Sequence, residues 1–401
     1  MRAFSRNLPS KCKPDAWKAL VHALAGGGTL GTVFNPKKNA IGFLRFFFAA
    51  MVVFSHSFPL GGFNTEPLWQ FSHGREHFGT LGVICFFIVS GFLITRSQVS
   101  SRSIAEYLWH RFLRIMPGFW ACLLVIVCFF APLAYWLERG SLDGVVGLYG
   151  SPVQAYLKAN WLLDIHLNTI GDLLQRNPFK GAIDGSLWTL GYEFRCYLCV
   201  AALGIFGCTR RWRSFTLLFA AAMYLVYALF GENPTLLAKI LPRFVDIMIL
   251  KLAVYFFAGS IMFLYREYIP INRFLGIAAL IVTLCGLHYN VCHATGPIGI
   301  SYLVLYAACR LPITAFDRQG DFSYGLYLYA FPIQQILALA TINRAGFFPY
   351  FLCSLTLATG FGMISYFTVE KPALKLKAYK PSLPVRRWRK LLNFPCKNAT
   401  L

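Results

Sequence analysis

Acidic residues are scarce. Asp and Glu number 16 in 401 residues, and charged residues of all kinds make up 13%, about half the usual share of roughly 25% in a soluble globular protein. A soluble enzyme of this length needs far more polar surface to cover its core, so that class is excluded. Disorder is excluded too, because disordered chains are poor in apolar residues, and here they reach 57% with a mean hydropathy of +0.54. Also missing are a Walker loop, a dinucleotide fingerprint and a nucleophile elbow, a convincing cleavable signal peptide, an internal repeat and any low-complexity stretch. The 12 cysteines are scattered, mostly inside apolar stretches (Cys85, Cys122, Cys128, Cys196, Cys199). They read as small core residues rather than a disulfide framework or a zinc site.

What is present is a polytopic membrane protein. A span needs about 20 mostly apolar residues. Ten segments qualify: 40–60, 79–96, 117–137, 186–206, 214–230, 247–265, 271–287, 297–310, 322–341 and 347–369. Pro117 and Pro297 are expected at helix starts, where a missing N–H does no harm. The expected fold is an all-α bundle of about ten transmembrane helices. The net charge is +22, and its distribution follows topology rather than nucleic-acid binding: with the N-terminus inside, 27 basic residues fall in inside segments and 8 outside. That asymmetry predicts both termini in the cytoplasm. The expected organisation is a basic N-terminal tail (1–38), a transmembrane domain (39–372) with a large extracytoplasmic loop (138–185), and a basic C-terminal tail (373–401) suited to anionic headgroups. An Asn398 sequon in that tail would go unused.

Charge inside a span costs about 2.5–3.5 kcal/mol at the helix centre, so each case asks for a reason. Arg45 and His56 both lie in the first span, eleven residues apart. That is three turns plus about 20°, so they share a face and stand about 16 Å apart along the axis. The bland readings are snorkelling for Arg45 and an interhelical hydrogen bond for His56; the shared face favours a site. Glu193 in the fourth span lies at a similar depth to His56, and a carboxylate that orients an imidazole is a common acid/base device. A pair with Arg195 is the alternative, although i,i+2 residues point to different faces. Arg111 and Arg114 sit just before Pro117. Their i,i+3 spacing puts both guanidinium groups on one helix face at the cytoplasmic boundary, a fork that suits phosphate, or else plain positive-inside marking. Ser90, Gly91 and Thr95 are small residues that allow close helix approach. Lys251 is expected to pair with Asp246. His73 and His77 have metal-ligand spacing but no third ligand near, and His288, Cys292 and His293 cluster in another outside loop; neither is expected to hold a metal.

Together these residues resemble acyltransferase family 3, the membrane-embedded enzymes that O-acylate bacterial surface and exported carbohydrates. Arg45 and His56 match its Arg-x10-His pattern. Gly82 to Thr95 resembles its second-helix block. Arg111-x-x-Arg114 with Pro117 matches its Arg-x-x-Arg-x-x-Pro. Leu187-Trp188-Thr189-Leu190 with Glu193 resembles its Trp-Ser-Leu-x-x-Glu. Phe322 to Tyr329 with Pro332, and Glu370-Lys371-Pro372, resemble its late blocks. Cys85, Thr189 and Tyr329 depart from the common residues (acidic, Ser and His). The resemblance implies an O-acetyltransferase of the bacterial inner membrane that holds no cofactor and no metal. Acetyl-CoA or another short acyl-CoA would be the donor, held by Arg45, Arg111 and Arg114. The acceptor would be a glycan or lipid-linked saccharide such as O-antigen or exopolysaccharide. His56 would be base or acyl carrier, Glu193 would orient it, and Ser90, Gly91, Thr95, Trp188 and Tyr324 would pack or line the site. Some members carry a fused extracytoplasmic esterase-like domain; the chain reaches 401 without one, which leaves room for a separate extracytoplasmic partner. A transporter or flippase of a lipid-linked saccharide or small anion is the other reading, since intramembrane charges also mark transport paths.

Overall fold

The structure is a computed structural model describing residues 28–231 and 247–379. Residues 1–27 and 380–401 of the expected tails, with Asp246 and the Asn398 sequon, lie outside the described residues. The fold is an all-α polytopic membrane bundle. Ten helices of sixteen residues or more are present among the described residues: α1 (Ile41–Gly61), α2 (Phe78–Ser100), α3 (Ile104–Val125), α4 (Trp188–Ile205), α5 (Arg213–Phe230), α6 (Ile247–Leu264), α7 (Arg273–His288), α8 (Cys292–Arg310), α9 (Ser323–Leu339) and α10 (Phe347–Ser365). Each segment expected from hydropathy falls on one of them. Six are long and apolar enough by themselves to cross a membrane, counting the continuations of α3 to Arg139 and of α10 to Ala378.

Two boundaries differ from expectation. Helix α3 begins at Ile104, not at Pro117. Ser103 caps it, accepting from the Glu106 N–H at 3.1 Å, while Glu106 accepts from the Arg102 N–H. Such a cap satisfies the orphan donors of a first turn, so the helix runs through the arginine pair and carries Pro117 in its interior. Pro297 likewise stands inside α8. The arginines therefore project from a packed helix wall rather than from a loop.

Helices α2 and α6 form the tightest crossing. A Cβ on Gly91 would stand 1.8 Å from the Phe256 carbonyl oxygen, and one on Gly259 would stand 2.1 Å from the Ile88 carbonyl oxygen. The small residues of the second span thus let two backbones touch. Gly91→Ala must push the helices apart and is expected to cost about 1–3 kcal/mol, as overpacking of a tight core does. The check is the melting temperature in detergent; an unchanged value would sink this account of the crossing. Helix α9 runs through the centre and is buried along most of its length. Cys196 and Cys199 stand three residues apart on α4, one buried and one exposed, and both are free thiols.

The segment from Gly140 to Leu187 packs against the end of the bundle. It carries the short helix Ser151–Asn160 and buries Val153, Tyr156, Ile170, Leu173 and Leu174. Asn177 donates to Gln335 of α9, and Gln335 in turn donates to the carbonyls of Phe179 and Ala182. This cover lies over the end of α1 that carries His56: Leu60 of α1, Ala182 of the cover and Phe331 of α9 form one small apolar cluster.

Candidate active site

Two cavities lie one above the other inside the bundle. The shared face of α1 supplies Arg45 to the first and His56, with Val52 and Pro59, to the second.

The first cavity, of 110 Å³, is walled by Arg45, Phe86, Ser90, Arg111, Arg114, Glu193 and Tyr324, among others. Its cations are not equivalent. Asp321 pairs with Arg45, and the same carboxylate oxygen accepts from Arg114 Nη2 at 2.5 Å. Arg114 also faces the buried Glu370 at 3.8 Å. Asp321 lies in the link ahead of α9, and Ser323 donates to its other oxygen. Burial alone would raise its carboxyl, but Arg45 and Arg114 hold it below the usual carboxylate range. Arg111 forms no ion pair or hydrogen bond among the described residues, and its Nε is buried without a partner. The arginine fork is therefore split into one clamped and one free guanidinium. Tyr324 is fixed by its bond to the Ile115 carbonyl at 2.8 Å.

Glu193 belongs to this cavity and does not orient His56. Its Oε1 accepts from Ser90 Oγ and Tyr197 Oη, each at 2.6 Å. Tyr197 follows one turn later on the same face, and Ser90 approaches from α2. Nor does Glu193 pair with Arg195, which reaches Asp164 at 3.1 Å. Equal depth brought Glu193 and His56 to one level, but the faces of their helices lead to different cavities.

The second cavity, of 470 Å³, is walled by His56, Phe63, Glu66, His77, Ser186 and Trp188, among others. His56 meets the edge of Phe331, ring centroids 5.5 Å apart, and its Nδ1 is buried with no hydrogen-bond partner among the described residues. Gln334 of α9 donates to the Val53 carbonyl and to Ser57 Oγ, each at 2.9 Å, which fixes α1 on both sides of His56. Gly62 closes the helix in the left-handed region, φ 73°, a conformation that costs glycine little.

The two cavities share three lining residues, Val83, Thr189 and Tyr327. Thr189 Oγ1 and Tyr327 Oη are 2.6 Å apart, and Tyr327 also donates to the Ser186 carbonyl at 2.8 Å. The departure from the family's usual Ser at 189 thus sits at the partition. Thr95 is buried but lines neither cavity, and Gly91 acts at the crossing. Lys251 pairs with Glu76 at 2.6 Å; its expected partner Asp246 is outside the described residues. No group of three His, Cys, Asp or Glu able to hold a metal occurs among the described residues.

Behind the partition, Asp184 is buried and accepts from the Ser186 N–H and hydroxyl. Burial pushes its carboxyl up to about 7, against the downward pull of those bonds. The unfolded chain ionises Asp184 near pH 3.9, while the folded protein keeps its proton to about pH 7. Between these values the folded state holds the extra proton, so stability falls as pH rises, at most by about 1.4 kcal/mol per pH unit, and levels off above the folded value. Asp184→Asn is expected to flatten this slope. Melting temperatures from pH 5 to 8 test it, and parallel curves for both proteins would refute it.

A bundle with a basic cavity beside a cavity lined by an imidazole defines a polytopic membrane protein with a charged internal site. The chain belongs to acyltransferase family 3: the family's acyltransferase-domain model matches residues 38–367. It is similar to an O-acetyl transferase of Shigella phage Sf6, 26% identical over 358 residues that span 86% of this chain and 99% of that protein. It is also similar to nodulation protein 10 of Rhizobium leguminosarum bv. viciae, 26% identical over 387 residues, 87% of this chain and 96% of that protein. No solved structure matches the chain. It is an O-acyltransferase.

Proposed function

We propose that this enzyme moves an acetyl group from cytoplasmic acetyl-CoA to a hydroxyl of a cell-surface or exported glycan, in the inner membrane of a bacterium. One observation carries the reading: His56 lines a covered cavity that abuts the arginine cavity across only Val83, Thr189 and Tyr327. The phosphates of the donor meet Arg111, which forms no ion pair among the described residues, together with Arg45 and Arg114. The acyl-bearing arm lies against Phe86 and its apolar neighbours, beside Ser90 and Glu193. Its thioester passes the partition and reaches His56.

The imidazole takes the proton of the acceptor hydroxyl as its oxygen attacks the thioester carbonyl. The new C–O bond forms, the C–S bond breaks, and the departing thiolate takes the proton from the imidazolium. Alternatively the imidazole carries the acetyl group briefly and hands it to the hydroxyl; both routes need an imidazole nitrogen open to the cavity. Glu193 acts on the donor side, fixing Ser90 and Tyr197. The test is label transfer from acetyl-CoA to an alkali-labile glycan ester in membranes that hold the native acceptor. Acyl-CoA dependence also separates transfer from transport: transport without acyl-CoA consumption would replace this reading.

A further inference from the structure

The histidine cavity contains a second functional pair, which the charge pattern of the spans does not reveal because it lies in the link between α1 and α2. Glu66 precedes Pro67 at the start of the short helix Pro67–Phe71. Its side chain turns back under the start of α2. There Oε1 accepts the Phe78 N–H at 2.8 Å and meets His77 Nδ1 at 2.8 Å. The His77 ring is held flat on Trp69, centroids 4.3 Å apart and planes 16° apart. Glu66 is only 2% exposed, yet its Oε2 is buried with no partner among the described residues. Both residues line the cavity that His56 lines.

A buried carboxylate oxygen without a donor is costly unless a ligand supplies one. With Nδ1 of His77 engaged by Glu66, its Nε2 is the ring nitrogen left for a ligand. The pair therefore offers two hydrogen-bond acceptors side by side, beside Asn64 and Thr65, with Trp188 as an aromatic wall. No Lys or Arg lines this cavity among the described residues, so an anionic group would meet the Glu66 carboxylate without compensation. Hydroxyl groups donate to both acceptors at no such cost.

We propose that Glu66 and His77 form the acceptor subsite, gripping two hydroxyls of a neutral sugar ring so that a third faces His56. This rests on the glycan-acceptor reading above and names the residues that select the acceptor. Both are positioning residues; neither exchanges a proton with the reacting atoms.

The test uses the full-length protein in lipid nanodiscs, with saturation-transfer NMR on methyl glycosides of neutral hexoses, of 6-deoxyhexoses and of glucuronic acid. The neutral glycosides are expected to bind. Glu66→Gln keeps an acceptor for the Phe78 N–H but lacks the charge, and is expected to weaken them at least about tenfold, the loss typical of a hydrogen bond to a charged group. CoA binding should change less than about twofold, and in transfer assays the acceptor KM should rise while the donor KM holds. If Glu66→Gln loses CoA as well, it is misfolded, and His77→Gln, which spares the bond to Phe78, carries the same comparison. Neutral glycosides that bind neither protein, or both equally, overturn the subsite, as does a preference for the glucuronide. Sugar binding that depends on Glu66 in a protein that consumes no acyl-CoA would overturn the acyl-transfer reading and leave the subsite standing.

Discussion

Replacing His56 with Ala is expected to lower acetyl transfer by about a thousandfold, within the 10²–10⁴ range of a positioned acid/base group, while leaving the bundle intact. The second half of that statement follows from the surroundings of the residue. His56 makes no hydrogen bond through Nδ1 among the described residues and meets Phe331 edge-on, so truncation breaks no polar network described there. Helix α1 is fixed instead by Gln334, which bonds Val53 and Ser57. The loss should therefore appear in turnover, with near-normal yield, melting temperature and CoA affinity. The measurement is label on alkali-labile ester in membranes containing wild-type or variant protein. Transfer close to wild type by a folded variant would remove His56 from the chemistry.

Val83→Trp should be nearly as damaging for a different reason. Val83 is half-buried on α2 and borders both cavities. An indole there fills the passage that the acyl-bearing arm would use in the proposed reaction. Displacing reacting atoms by about 1 Å already costs on the order of a hundredfold, and a blocked passage costs more, so transfer should fall by at least that factor. Donor affinity should hold, because Arg45, Arg111 and Arg114 line only the first cavity. Val83→Ala, which opens the passage, should keep activity. Calorimetric binding of CoA alongside label transfer distinguishes a blocked arm from a lost donor site. A Val83→Trp variant that transfers normally would mean that the acyl group reaches His56 by another route.

Much of this arrangement is legible in the sequence. Apolar run length finds the ten helices, and helical periodicity puts Arg45 and His56 on one face, because both depend on local geometry alone. The start of α3 was also written locally, as Ser103-x-x-Glu106, but hydropathy overlooks a polar amphipathic stretch before an apolar one. The placing of Glu193 beside His56 failed because depth along a helix does not fix the direction a side chain faces. The spacing to Tyr197 was the better signal, since i,i+4 residues are neighbours. Asp321 was out of reach of such reasoning: it meets Arg45 from 276 residues away, and only the packing of α1, α3 and α9 brings them together. Glu66 escaped notice because a carboxylate in an extramembrane link is usually solvated, and nothing local says that this one is buried.

The partition between the cavities also bears on energy conservation. A through-going aqueous bore in an energised membrane would short-circuit the ion gradient that the membrane maintains. Here two chambers in series end on opposite sides of a phenol and a hydroxyl locked to each other and to a backbone carbonyl, with an aliphatic side chain completing the seal. On the proposed reading only a slender, uncharged group would have to pass between the chambers, where Val83, Thr189 and Tyr327 line both. An acyl group moving along that route would carry no charge across the membrane.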